Sequence, residues 1–113
     1  MDNKFVFFAF NGNLMCFMHV LLNALDLEEK GKEARIVIEG ESVKLIKELE
    51  ESKNPLYLKA KAAGLITEIC KACSNKLGVL EYNMTVGIPV TGEMTGHPPM
   101  EKYISEGYKV ITL

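Results

Sequence analysis

Two cysteines three residues apart, in Cys70-Lys-Ala-Cys73-Ser-Asn75, are the residues of this chain best equipped for chemistry. On a helix that spacing puts both thiols on one face, near enough to form a disulfide or to hold one metal ion. A thiolate at a helix start meets the positive end of the backbone dipole and unpaired N–H groups, which lowers its pKa and makes it a nucleophile at neutral pH. Lys71 and Lys76 add positive charge to the same stretch. Free cysteine is also a common small buried hydrophobe, and spacing alone leaves both uses open.

Other groups could join the pair. Cys16 and His19, again three apart, would supply a third thiol and an imidazole to a metal or iron–sulfur site, or would simply pack. His97 lies in Glu93-Met-Thr-Gly-His-Pro-Pro99, a run of turn formers expected to be exposed, where an imidazole acts as acid, base or ligand or is merely solvated. Glu39 ends an apolar run and would aim its carboxylate at the same region, or cap the turn at Gly40. Phosphate-cradling glycine loops, G-x-S-x-G and H-E-x-x-H are absent, which counts against nucleotide-binding and hydrolase chemistry.

Alternating strands and helices must position these residues. Phe5–Phe10 is continuously apolar, as in a parallel strand covered on both faces. After Asn11-Gly12-Asn13, the apolar positions Leu14, Phe17, Met18, Leu21, Leu22 and Leu25 have helical spacing, and Gly31 ends that helix. Ala34–Glu39 reads as a second strand, followed by a helix carrying Val43, Leu45, Ile46 and Leu49. Pro55–Ala63 forms a further helix capped by Gly64. Leu65–Ile69 is a third strand that turns into a short helix at the cysteines. Gly87–Thr91, Pro98–Glu106 and Tyr108–Thr112 complete the series as strand, helix and strand.

Such alternation predicts a three-layer α/β/α domain spanning 1–113, with a mainly parallel five-stranded sheet. The carboxyl ends of parallel strands share one rim, so the turns after Phe10, Glu39 and Ile69 would gather Asn11, Asn13, Glu39, Ser42, Cys70 and Cys73. A length of 113 residues suits one core. Charged residues at 25% and a net charge of −2 disfavour a nucleic-acid partner. The apolar stretch from Lys4 to Leu25 is broken at Asn11–Asn13 and is too short to span a membrane. Three cysteines, an odd number, fit a reducing, cytoplasmic setting in which the Asn83-Met-Thr85 sequon is incidental.

The run Cys73-Ser-Asn-Lys-Leu77, followed by Val86-Gly-Ile-Pro-Val90 and closing on Glu106-Gly-Tyr-Lys-Val-Ile111, resembles the DsrE/DsrF-like proteins, and Ile36–Leu45 resembles their second strand and helix. The resemblance spans most of the chain. It implies the same α/β/α fold and assembly into homo-oligomers such as dimers, trimers or hexamers. It also implies a sulfur relay, in which a cysteine carries sulfur as a persulfide between donor and acceptor proteins, with no cofactor expected. Carried over by residue, Cys73 is the family cysteine, because Ser74, Asn75 and Leu77 follow it in register. An alignment on Gly78 would instead select Cys70. Cys16, His19 and Met94–His97 fall outside the family pattern, which leaves open a redox role for Cys70 and Cys73 as a thiol–disulfide or peroxide reductase, or a metal site.

Overall fold

The computed structural model describes residues 3–113; Met1 and Asp2, which the expected domain includes, lie outside the described residues. The chain runs β1 (Lys4–Ala9), α1 (Leu14–Glu29), β2 (Glu33–Ile38), a 3-10 turn (Gly40–Lys44) leading into α2 (Leu45–Glu51), and α3 (Pro55–Ala62). It continues through β3 (Ile66–Cys70), α4 (Lys71–Lys76), α5 (Leu80–Asn83), β4 (Val90–Thr91), α6 (Glu101–Ser105) and β5 (Lys109–Thr112). The strands form one sheet in the order β4-β3-β2-β1-β5, and every pairing is parallel. The expected three-layer α/β/α architecture is therefore present.

Sequence chemistry accounts for the main elements. β1 and β2 carry Val6–Ala9 and Ile36–Ile38, all buried, because helices cover the sheet on both sides. The Asn13 side chain caps α1 by accepting the Cys16 backbone N–H at 3.0 Å, and Phe17, Val20, Leu21 and Ala24 face the core. Asn54 caps α3 in the same way, with Pro55 in its first turn.

Two apolar clusters result. The larger joins Phe7, Ala9, Ile36 and Ile38 to Phe17, Leu21, Leu49 and Tyr57 from the helices. The smaller packs Tyr103 of α6 over Val6, Phe8 and Val37. Tyr103 meets Phe8 and Tyr108 edge-on at ring separations of 5.7 and 5.6 Å.

Most boundaries shift by a residue and the short helix α5 is not among the expected elements; three differences bear on the site. The expected helix Pro98–Glu106 narrows to Glu101–Ser105: Pro98 precedes another proline, which biases it away from helical backbone, and both prolines lie outside regular structure. The strand expected over Gly87–Thr91 contracts to Val90–Thr91. The third strand reaches Cys70, so that thiol belongs to the strand end rather than to the helix. Among the described residues, no helix is long and apolar enough to cross a membrane.

Candidate functional site

The site is assembled from the ends of β2 and β3, the first turn of α4 and the loop after β4. Glu39 follows β2, its backbone N–H bonded to the Ala9 carbonyl at 3.0 Å. Gly40 turns the chain at φ +55°, where a side chain would put Cβ 2.9 Å from the Phe10 carbonyl oxygen, so the bend requires glycine. Ser42 Oγ, within 2.6 Å of the Ala9 carbonyl and 2.7 Å of the Glu39 carbonyl, ties the turn to β1. These contacts hold the Glu39 side chain only 8% exposed.

Cys70 is the last residue of β3 and the N-cap of α4, its Sγ accepting the Cys73 backbone N–H at 3.4 Å. It is fully buried. The expectation of a depressed thiol pKa fails here: burial pushes Cys70 up to about 12, outweighing the hydrogen bond it accepts from the Cys73 backbone N–H, while the Cys73 thiol and the Glu39 carboxylate add to the rise. Cys73, one turn on, is half-buried. With Phe10, Glu39, Met94, His97 and Met100 it lines a groove of about 500 Å³.

His97 arrives on a tight turn. Met94 and His97 exchange backbone hydrogen bonds of 2.8 and 2.9 Å, while Thr95 and Gly96 both take positive φ, 49° and 95°. This is the backbone signature of a type I′ hairpin turn. A β-branched threonine at positive φ is strained, and such strain persists only where the surroundings impose it. Here they do: the Gly96 carbonyl accepts the Ala72 N–H of α4 at 2.8 Å and faces Cys70 Sγ at 3.7 Å.

As a result His97 Nδ1 stands 3.1 Å from Cys70 Sγ, 3.8 Å from Cys73 Sγ and 3.5 Å from Glu39 Oε1. The ligand atoms of all four side chains lie within 4.8 Å of one another. Burial raises the Glu39 carboxyl above its ordinary range, opposed by Cys70 and His97. The arrangement can pass a thiol proton to an imidazole facing a carboxylate, and it offers two sulfurs of unequal exposure.

The remaining residues singled out from the sequence fall elsewhere. Cys16 and His19 are exposed and open, with Asn11, Met15 and Leu113, onto a separate recess of about 340 Å³. That recess lies beside the ends of β1 and β5, whereas β2 stands between β1 and the cysteine strand. Of Cys16, His19, Cys70 and Cys73, the residues the sequence offers to a metal were one present, the fold keeps the first two away from the thiol pair, and the side chains that come together around it are Glu39, Cys70, Cys73 and His97. Asn11 is exposed and its Oδ1 accepts the Asn13 N–H at 2.8 Å, a turn-forming contact on the Cys16 recess rather than at the Cys70–Cys73 pair.

Ser74 is buried and accepts a hydrogen bond of 3.1 Å from Asn83 Nδ2, which also donates to the Val43 carbonyl at 3.0 Å; its work is to join α4 to α5 and the 3-10 turn. Asn75 is exposed and faces another groove with Gly78, Leu80 and Met84. Sequence reasoning missed the anchoring of the histidine loop through Ala72 and Gly96, although Thr95-Gly96 is itself a turn signal.

Fold and site define an all-parallel α/β/α protein with a Cys-Cys-His-Glu cluster at its strand ends. The chain belongs to the family of the uncharacterized protein MJ0733 of Methanocaldococcus jannaschii, with which it shares 33% identity over 101 residues, 89% of this chain and 83% of that protein. It is also 40% identical over 42 residues to an uncharacterized protein of Archaeoglobus fulgidus, covering 37% of this chain and 69% of that protein. No family model and no solved structure matches the chain.

Proposed function

We propose that the protein is a cysteine-based sulfur carrier of the DsrE/DsrF-like kind, with Cys73 as the residue that bears the persulfide. The observation that carries this reading is a half-buried thiol on the wall of an open groove, 3.8 Å from an imidazole nitrogen and one helical turn from a second, buried thiol. The run from Cys73 to Leu77 supports it from the sequence side. In the step envisaged, His97 takes the Cys73 proton and the thiolate attacks the outer sulfur of a donor persulfide. The donor's S–S bond breaks, the donor cysteine leaves as thiolate, and a Cys73 persulfide forms with no net oxidation. An acceptor protein's thiolate then removes that sulfur in the same way. Cys70, protonated and enclosed, stays out of competition for the donor. The reading includes donor and acceptor proteins, a homo-oligomeric assembly and a cytoplasmic setting.

Intact-mass analysis tests it. Metal-free, reduced protein incubated with a small-molecule persulfide donor should gain about 32 mass units, the mass of one sulfur, on Cys73, and should lose them to a reductant. Cys73→Ser should abolish the gain and Cys16→Ser should preserve it. A wild-type protein that takes up no sulfur from several donors refutes the proposal. The two adjacent thiols also favour a disulfide-cycling reading, and Cys70→Ser separates the two: it leaves sulfur loading of Cys73 intact but would end a dithiol cycle.

A further inference from the structure

The cluster presents an electrostatic puzzle that sulfur transfer leaves unexplained. One nitrogen, His97 Nδ1, faces three groups that carry negative charge when ionised, at 3.1, 3.5 and 3.8 Å. A single proton on that nitrogen can make one good hydrogen bond, and the two longer distances exceed one. Glu39 is buried, and among the described residues the ion pair that reaches it is with His97. A buried carboxylate beside two sulfurs costs free energy unless a cation compensates it. No lysine or arginine is recorded in an ion pair with this group among the described residues.

A metal ion resolves all of these at once. Ligands held tetrahedrally at about 2.0–2.3 Å from zinc stand about 3.3–3.8 Å from each other, with nitrogen–oxygen pairs at the short end and sulfur–sulfur pairs at the long end. The observed nitrogen–oxygen separation of 3.5 Å and nitrogen–sulfur separations of 3.1 and 3.8 Å come within about half an ångström of those values, and the remaining ligand pairs lie within 4.8 Å. Two thiols, an imidazole and a carboxylate are the donor types that borderline-soft divalent cations prefer. The residues come from three separate segments, which distinguishes a built site from a chance run in sequence. The His97 turn, strained at Thr95 and tied to α4 through Gly96, is the outer wall that fixes the fourth side.

We propose that Glu39, Cys70, Cys73 and His97 bind one divalent cation of the zinc class. The inference goes beyond the sulfur-carrier reading and does not depend on it. Because both uses need Cys73, a bound ion would cover the thiol that sulfur must reach, so metal-loaded and persulfidated protein would be mutually exclusive forms. The enclosed Cys70 and Glu39 would hold the ion from the core side, and the half-exposed Cys73 and His97 from the groove side.

Cobalt(II) titration of the full chain, stripped of metal, reduced and kept free of oxygen, tests the site directly. The expected result is one cobalt per chain, with a thiolate-to-cobalt charge-transfer band and the intense visible absorption of tetrahedral cobalt, both bleached by zinc. His97→Ala alters a partly exposed loop residue and Glu39→Gln preserves shape; each should weaken cobalt binding by at least about tenfold. Loss of either Cys70 or Cys73 should lower the charge-transfer intensity by about half, whereas Cys16→Ser and His19→Ala should change nothing. The proposal is overturned if the wild-type protein gives no thiolate–cobalt band, or if that band survives His97→Ala and Glu39→Gln at unchanged affinity. Sulfur uptake by the metal-free protein is measured separately, so a protein that binds cobalt but accepts no sulfur would sink the carrier reading alone, and the reverse result the metal site alone.

Discussion

Replacing Gly96 by alanine tests whether the histidine loop is clamped to α4 tightly enough to set the geometry of the cluster. Gly96 sits at φ +95°, and a Cβ there would stand 2.9 Å from the Ala72 Cβ. An L side chain in left-handed backbone costs about 1–2 kcal/mol. Forcing a methyl group into a filled contact costs about 1–3 kcal/mol more. Gly96→Ala should therefore destabilise the protein by about 2–5 kcal/mol, measured by urea unfolding of the metal-free chain. The loop can relieve the clash only by lifting, which breaks the 2.8 Å bond from the Ala72 N–H to the Gly96 carbonyl and carries His97 away from both sulfurs.

A double-mutant cycle with Ala72→Gly separates the two causes. The second change removes the opposing methyl, leaves the positive φ in place, and by itself costs about 1 kcal/mol of helix propensity in α4. The double variant should thus be more stable than the sum of the single effects by about 1–3 kcal/mol, and should regain part of the cobalt affinity that Gly96→Ala loses. A coupling energy below about 0.5 kcal/mol, or a Gly96→Ala cost below about 1 kcal/mol, would refute the claim that this contact positions His97.

The buried thiol gives an alkaline signature. Burial lifts Cys70 from an ordinary 9.0 to about 12, so its stabilising effect is complete below the unfolded-state value and is lost as pH rises toward the folded one. Unfolding free energy of the metal-free wild type should fall more steeply than that of Cys70→Ala between those values, by up to about 1.4 kcal/mol per pH unit, and parallel curves would contradict the assignment. Glu39, also raised by burial, contributes fully to stability below its unfolded-state pKa and loses that contribution as pH climbs through the folded value. Glu39→Gln should therefore match or exceed the wild-type urea midpoint at neutral pH in metal-free protein, with the difference shrinking in acid; a lower midpoint at pH 7 would mean that the carboxylate serves the fold.

What the sequence discloses follows from where each signal originates. Phe5–Phe10 and Ile36–Ile38 announce buried parallel strands because burial on both faces removes the polar alternation that would otherwise interrupt them. Once the sheet is parallel, Glu39 and Cys70 must share a rim, and they do. His97 is different. It lies 27 residues beyond Cys70 in a loop whose composition says only that it turns, and its place is fixed by the Ala72-to-Gly96 hydrogen bond. Cys16 and His19 mislead because helical spacing gives the face of α1 they occupy but not which neighbouring strand that face overlooks. The Cys70 pKa is misjudged for a related reason: one residue of strand extension turns a helix-start thiol into a core thiol, and desolvation then outweighs the N–H group it accepts from.

The unequal burial of the two cysteines carries the functional argument. A relay with two equally accessible thiols would let a newly formed persulfide be attacked at once by its neighbour, closing a disulfide and releasing the sulfur. Enclosure that holds Cys70 protonated slows that attack, since the thiolate is the attacking species. A cation reverses the bias, because a coordinating thiol is deprotonated outright, and the buried sulfur then becomes a ligand equivalent to the exposed one. On the two proposals, the same four side chains would support two states that exclude each other, with His97 as proton acceptor for Cys73 in one and as the fourth ligand in the other. Its loop, pinned through Gly96 to the helix that carries Cys73, keeps that nitrogen within 4 Å of both sulfurs.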